Sequence, residues 1–359
     1  MLCYTITINF RALKSTRYNT ILHGLEVTAA LTAEVILQSI FSPPTLFFAL
    51  GILAAVIKSD LKVPDEAGAT MGLFLLTAIG VRAGVAVNKT GIDGQVVVGA
   101  IAAALLGCLL ALGGYTMLTR LFSLDPANAG SIAGHFGAVS SMTLILSITF
   151  LEQIQVTYEP FVAALYPFMD TAALVTAILL ARRSLSSNKD GNGPSTKELL
   201  IEGLTARTTV LLVGGLVIGF ITGPQGMERA LPLFETLFFG VTSFFMLDIG
   251  LVAGARLSEL KKVNKFVLGY ALVMPAIHVL VAATIATLIG LSPGGVTIFA
   301  IGLAGGASFI SAPIVMRTAL PQANPSLSLA LALVVALPVN VIVGIPLAYH
   351  TALFLAGAL

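Results

Sequence analysis

Uninterrupted apolar runs of roughly 18 to 25 residues, the length a helix needs to cross the hydrocarbon core, recur along this 359-residue chain. They lie at about 43–61, 66–88, 94–120, 126–151, 160–183, 207–223, 236–257, 266–290, 293–318 and 325–356. The runs are continuous rather than alternating, which excludes a transmembrane barrel. Only 10% of the residues are charged, against about 25% in soluble domains, which excludes a water-soluble enzyme. The expectation is an all-α polytopic membrane protein with ten transmembrane helices.

If ten spans alternate, Arg11, Lys14, Arg17, Lys89 and Arg229 fall on one side of the membrane. Arg82 lies within a span, and the other Lys and Arg residues, including Lys58, Arg120, Arg182, Lys197, Arg256 and Arg317, fall on the opposite side. The positive-inside rule makes that richer side cytoplasmic and puts both termini outside a plasma (inner) membrane. No nucleic-acid partner is expected. Residues 1–42 hold three basic residues before any acid, and their apolar run is interrupted by Glu34 and Gln38. They predict an extracytoplasmic arm with an interfacial helix, with a cleaved targeting peptide or a misassigned start as alternatives.

Short motifs recur at an offset of about 170 residues. Ile79-Gly80-Val81-Arg82-Ala83-Gly84 is matched by Ile249-Gly250-Leu251-Val252-Ala253-Gly254. Leu124-Asp125-Pro126 is matched by Leu291-Ser292-Pro293, and Pro167 by Pro338. The order predicts two five-helix units, 43–183 and 207–359, joined by a cytoplasmic linker over 184–206. Five is odd, so the second unit enters the membrane from the opposite side. Inverted repeats of this kind mark secondary transporters, whose substrates bind near midplane where discontinuous helices meet.

The fourth segment of each unit is written against a continuous helix. Residues 130–143 read GSIAGHFGAVSSMT and 302–317 read GLAGGASFISAPIVMR, with Pro313 inside an apolar span. Small residues in membrane helices commonly serve close packing. Their paired placement and the proline, which removes a backbone donor, predict instead that helices 4 and 9 are broken and crossing. Irregular backbone survives at membrane depth only where it is buried in protein or lines a cavity. A half-helix N-terminus suits a small anion, while freed carbonyls and hydroxyls suit a sodium ion.

Ionisable groups inside spans are functional candidates, because each costs about 2.5 to 3.5 kcal/mol at the bilayer centre. They are Arg82, Asp170 and Asp248, with His135, His278 and Glu152 less securely placed. The repeat sets Asp248 opposite a position one turn from Arg82, suggesting a charge pair between Arg82 and Asp248 or between Arg82 and Asp170. Asp170, beside Pro167, is the better candidate for ion coupling. No histidine or carboxylate cluster has ligand spacing, so no transition-metal site is expected. An intramembrane aspartyl protease would show Tyr-Asp and Gly-x-Gly-Asp, whereas these aspartates follow Met169 and Leu247. Gly306-Ala307-Ser308-Phe309 likewise fails the Gly-x-Ser-Gly of an intramembrane serine protease, so no enzyme is expected. A proton-coupled or sodium/proton antiporter-type transporter relaying through Asp170 and Asp248 stays open.

The stretches YPFMDTAALVTAILLA (166–181), GHFGAVSSMT (134–143) and SFISAPIVMRTALPQANPSLSLALALVVALPVNVIVGIPL (308–347) resemble the sodium-dependent bicarbonate transporter family known from cyanobacteria and other bacteria. Arg317 to Ser326 matches its R-x-A-L-P-Q-A-N-P-S signature. The resemblance implies a five-plus-five inverted repeat, commonly a homotrimer in the lipid bilayer, that imports bicarbonate with sodium as coupling ion and no other cofactor. Some members are closed by a PII-like cytoplasmic regulator. It implies an anion site at Gly137, Ala138, Val139, Ser140 and Ser141, with Ala307, Ser308 and Ser311 opposite. It assigns Thr143, Asp170, Ser308 and Ser311 to ion coupling.

Two departures stand out. Cyanobacterial members resemble S-S-S-D-I-S-G-P in the second break, and here Phe309 stands where that aspartate would. The linker is also short for docking a regulator. The absence of basic residues inside either break argues for a small monovalent anion over a di- or tricarboxylate.

Overall fold

A computed structural model describes residues 41–91, 94–186, 197–198, 201, 205, 207–309 and 311–358. Among these residues all regular structure is helical. The arm expected over 1–42 lies outside them apart from its last two residues, as does most of the 184–206 linker.

The helices are α1 (Pro43–Val56), α2 (Asp65–Thr90), α3 (Gly94–Arg120), α4 (Pro126–Gly137), α5 (Ser141–Gln153) and α6 (Tyr166–Ser186). They continue with α7 (Arg207–Met227), α8 (Leu231–Thr236), α9 (Phe238–Arg256), α10 (Lys265–Leu288), α11 (Pro293–Ala304), α12 (Ser311–Ala319) and α13 (Pro325–Gly357). A 3₁₀ turn, Pro160–Leu165, leads into α6. Among the described residues, eight stretches are long and apolar enough to cross a membrane, with α4 and α5 counted as one. The other two of the ten expected spans are represented by shorter apolar helices, α1 and α11. Helix α1 has 14 residues and spans about 21 Å at 1.5 Å per residue, short of a core of about 30 Å. Helix α11 stops at a break and is continued by α12.

Two helix pairs pack through glycine. Helix α1 lies along α9, and α2 along α7. A Cβ on Gly250 would strike the Phe48 carbonyl, and one on Gly51 the Leu247 carbonyl. In the second pair, a Cβ on Gly84 would strike the Leu216 carbonyl and one on Gly219 the Val81 carbonyl. Backbones approach this closely only where no side chain intervenes. Helix α7 bends at Gly223, whose φ of 58° is left-handed. Pro224 there cannot donate to the Phe220 carbonyl, and Asn88 Nδ2 on α2 supplies that hydrogen bond at 2.8 Å.

The remaining helices form the body around the breaks. Helix α3 packs on α6 and α4, α5 packs on α11, and α10 packs on α11 and α13. From Ala129 to Leu151 the α4–α5 segment is buried in protein. At one end of the bundle Arg182 donates to the Ala319 carbonyl at 3.0 Å, and Asn324 N donates to Asn128 Oδ1 at 2.7 Å. That end gathers the start of α4 with the ends of α6 and α12. At the opposite end Glu159 accepts from Ser292 N at 2.7 Å, and Gln95 donates to the Gly290 carbonyl at 2.7 Å.

The matched Leu-x-Pro motifs build the same start signal twice. Asp125 caps α4 by accepting from Asn128 N, and Ser292 caps α11 by accepting from Gly295 N. Pro126 and Pro293 each follow as the first helical residue, where a missing N–H costs nothing.

Candidate binding site at two helix breaks

Helix α4 ends at Gly137 because Ala138 and Ser140 are extended, with ψ of 157° and 107°. Ser140 restarts the helix by capping it: its Oγ accepts from Thr143 N at 3.2 Å. Such a cap contributes about 1 kcal/mol. In the second break α11 runs out in a π-helical turn, Ile298–Ala304, and α12 begins at Ser311. Ser308 plays the capping part here, accepting from Ala312 N at 3.2 Å, while Pro313 sits in the first turn, where no N–H is needed.

The breaks touch. Ser308 N donates to the His135 carbonyl at 2.7 Å, and a Cβ on Gly306 would lie 2.7 Å from Ser140 Cβ. The stretch from Gly137 to Thr143, with Ala138, Val139, Ser140 and Ser141, therefore runs beside the stretch containing Ala307, Ser308 and Ser311, and of these residues all but Ser311 are buried. Two helix N-termini, of α5 and α12, and two C-termini, of α4 and α11, meet there. Each terminus carries roughly half an elementary charge, positive at the N-termini and negative at the C-termini.

Asp170 on α6 ties the two breaks together. Its Oδ1 accepts from Val139 N at 2.9 Å and its Oδ2 from Ser311 Oγ at 3.4 Å, while Ser311 Oγ also lies 2.9 Å from Ser308 Oγ. The carboxylate is only 3% exposed, so these contacts replace the water it has lost. Nearby, Thr143 Oγ1 and Asn340 Oδ1 are buried oxygens with no hydrogen-bond partner among the described residues. Carboxylate, hydroxyl, amide and carbonyl oxygens are the donors a hard cation prefers.

Sequence reasoning missed two residues at the breaks, Tyr166 and Asn340, and a third, Glu159, at the far end of α11. Tyr166 donates to the Val139 carbonyl at 3.3 Å, and Asn340 Nδ2 donates to the Gly305 carbonyl at 3.0 Å, so each break has one carbonyl held by a side chain. Asn340 was findable as a lone amide two residues after Pro338 in an apolar span. Glu159, in the loop before α6, holds Ser292 at the start of α11.

Phe309 is partly buried and packs against both halves of the apolar core. The carboxylate that reaches the second break comes from Asp170 on α6.

Among the described residues Arg82 forms no ion pair with Asp248 or Asp170. Arg82 is salt-bridged to Glu152 at the end of α5 and stacks over Phe238. Asp248 lies against Gly68, fourteen residues before Arg82 on α2, or about 21 Å along the helix. Asp170 is engaged at the breaks. Tyr158 donates to Glu152 at 3.1 Å; burial and the neighbouring Glu152 carboxylate push its phenol well above the ordinary range, so it remains a donor. Arg82, Glu152, Tyr158, Lys89 and Glu235 border a cavity of about 440 Å³.

Residues 43–353 match the family model of the Na+-dependent bicarbonate transporter superfamily. No curated protein matches the chain.

Proposed function

The chain belongs to the Na+-dependent bicarbonate transporter superfamily, and from that premise we propose that it imports bicarbonate together with sodium by alternating access between two inverted five-helix repeats. The carrying observation is the contact of two broken helices, with Ser308 N on the His135 carbonyl and Asp170 bonded to both breaks. Bicarbonate sits against the N-termini of α5 and α12, touching Ser140, Ser141, Ala307 and Ser308. Sodium takes the adjacent oxygens of Asp170, Thr143, Ser308 and Ser311. Each ion offsets part of the other's desolvation, which is the physical basis of coupling.

The inverted repeat is supported by the equivalent helix pairs. Gly80 and Gly84 of α2 pack on α7, as their matched residues Gly250 and Gly254 of α9 pack on α1. Both fourth segments also start with a capped Leu-x-Pro and break near their middles. The Lys/Arg-rich end, with Arg182 and Arg317, faces the cytoplasm and both chain termini face outward. Helices α1, α2, α7 and α9 form one moving group and the rest the other.

Labelled-bicarbonate uptake into proteoliposomes, with and without an inward sodium gradient, tests the proposal. Uptake should follow sodium. Uptake driven by a proton gradient and indifferent to sodium would favour antiporter-type coupling through Asp170.

A further inference from the structure

A second cavity, of about 190 Å³, lies between α4 and α12 at the Lys/Arg-rich end, away from the α5 N-terminus. Its wall includes Ser131 and His135 from α4, Arg317 from α12, and Pro325 at the start of α13. At about 30 Å³ per water it holds a small oxyanion with several waters.

His135 is 1% exposed, and its Nδ1 lies 2.7 Å from the Ser131 carbonyl. A carbonyl only accepts, so Nδ1 carries the proton and the uncharged ring offers Nε2 as a lone-pair acceptor. That nitrogen has no partner among the described residues. The Ser131 hydroxyl is paired with Ser328 Oγ at 2.7 Å and makes no bond to that nitrogen. Arg317 is exposed at the same cavity, and among the described residues its guanidinium has neither an ion pair nor a hydrogen bond. The cavity thus combines a free planar cation with a buried acceptor that needs an O–H.

We infer that this cavity is a second anion subsite, at which Arg317 and His135 Nε2 together recognise a monoprotonated oxyanion on the cytoplasmic side of the central site. The chemistry selects one class of ligand. A guanidinium pairs with two coplanar oxygens, and an unpartnered imidazole nitrogen takes a hydroxyl proton. Bicarbonate has both features. Nitrate has the oxygens without the hydroxyl, and chloride has neither. The inference rests on the proposed substrate and orientation, and places a resting point for bicarbonate between the helix breaks and the cytoplasm.

The test uses right-side-out and inside-out membrane vesicles, each carrying the full-length transporter, to measure half-saturation by labelled bicarbonate at each face. Arg317→Gln, a change at an exposed side chain, should raise it at least fivefold at the cytoplasmic face and less than twofold at the outer face. Competition by nitrate at the cytoplasmic face tests His135: nitrate should compete at least fivefold better against His135→Phe than against wild type, because only bicarbonate loses a contact. Equal shifts at both faces, or none for Arg317→Gln, would overturn the subsite even if His135→Phe fails to fold. Wild-type vesicles without sodium-dependent bicarbonate transport would sink the underlying proposal as well, whereas normal wild-type transport with symmetric variants sinks the subsite alone.

Discussion

Asp170 Oδ1 accepts the backbone N–H of Val139 at 2.9 Å, so a carboxylate on one helix holds open the broken backbone of another. The bond has separable structural and electrostatic parts. Asp170→Asn keeps an oxygen for the Val139 N–H and removes the charge. It should fold normally while its apparent sodium affinity falls at least tenfold in uptake assays. Asp170→Ala leaves a buried N–H unpaired, which costs about 1–3 kcal/mol, and should lower the thermal midpoint as well. Unchanged sodium dependence in the asparagine variant would remove Asp170 from ion coupling.

Ser308 is 2% exposed and bonds Ala312 N and Ser311 Oγ while its own N–H reaches the first break. Ser308→Ala loses a cap of about 1 kcal/mol and should keep reduced transport. Ser308→Leu fills the space between the breaks and should abolish uptake, with folded protein still eluting as a single species in size-exclusion chromatography. Normal uptake by the leucine variant would show that the anion binds elsewhere.

The breaks were legible in the sequence because glycine, serine and proline are conspicuous within apolar runs and occur twice at matched places. The hydrogen bonds across them were not. Val139 to Asp170 joins positions thirty-one residues apart, and Asn340 to Gly305 thirty-five, and only the packing of α4, α6, α11 and α13 brings them together. Arg82 illustrates the same limit. Its intramembrane charge was visible, but the repeat pointed to Asp248, whereas the packing of α2 against the end of α5 delivers Glu152.

The glycine seams can be tested by stability. Gly84→Ala places a methyl against the Leu216 carbonyl, and either α2 and α7 separate or the chain distorts. Overpacking of this kind costs typically about 1–3 kcal/mol. Gly113 on α3 is a control, exposed and with nothing within 4 Å of an added Cβ. Gly113→Ala should be neutral or stabilising by up to about 1 kcal/mol, since glycine is the poorer helix former. Thermal unfolding in detergent should lower the midpoint for Gly84→Ala and leave or raise it for Gly113→Ala.

The Arg82–Glu152 salt bridge joins α2, in one proposed moving group, to the end of α5 in the other. Both side chains are partly exposed, at 22% and 34%, so solvent screening keeps the contribution of the pair to overall stability small. Its leverage is on conformation, because opening that end of the bundle requires the ions to part. Glu152→Gln weakens the link and should shift the population toward states open at the Tyr158 end. A cysteine replacing Thr157, which lines the same cavity, should then react faster with a membrane-impermeant maleimide, by about threefold or more. Exchanging the charges, with Arg82→Glu and Glu152→Arg together, should return the labelling rate toward that of the parent. Labelling that is equally fast in the exchanged pair and in Glu152→Gln would mean that the packing of α2 on the end of α5, rather than the ion pair, keeps this end closed.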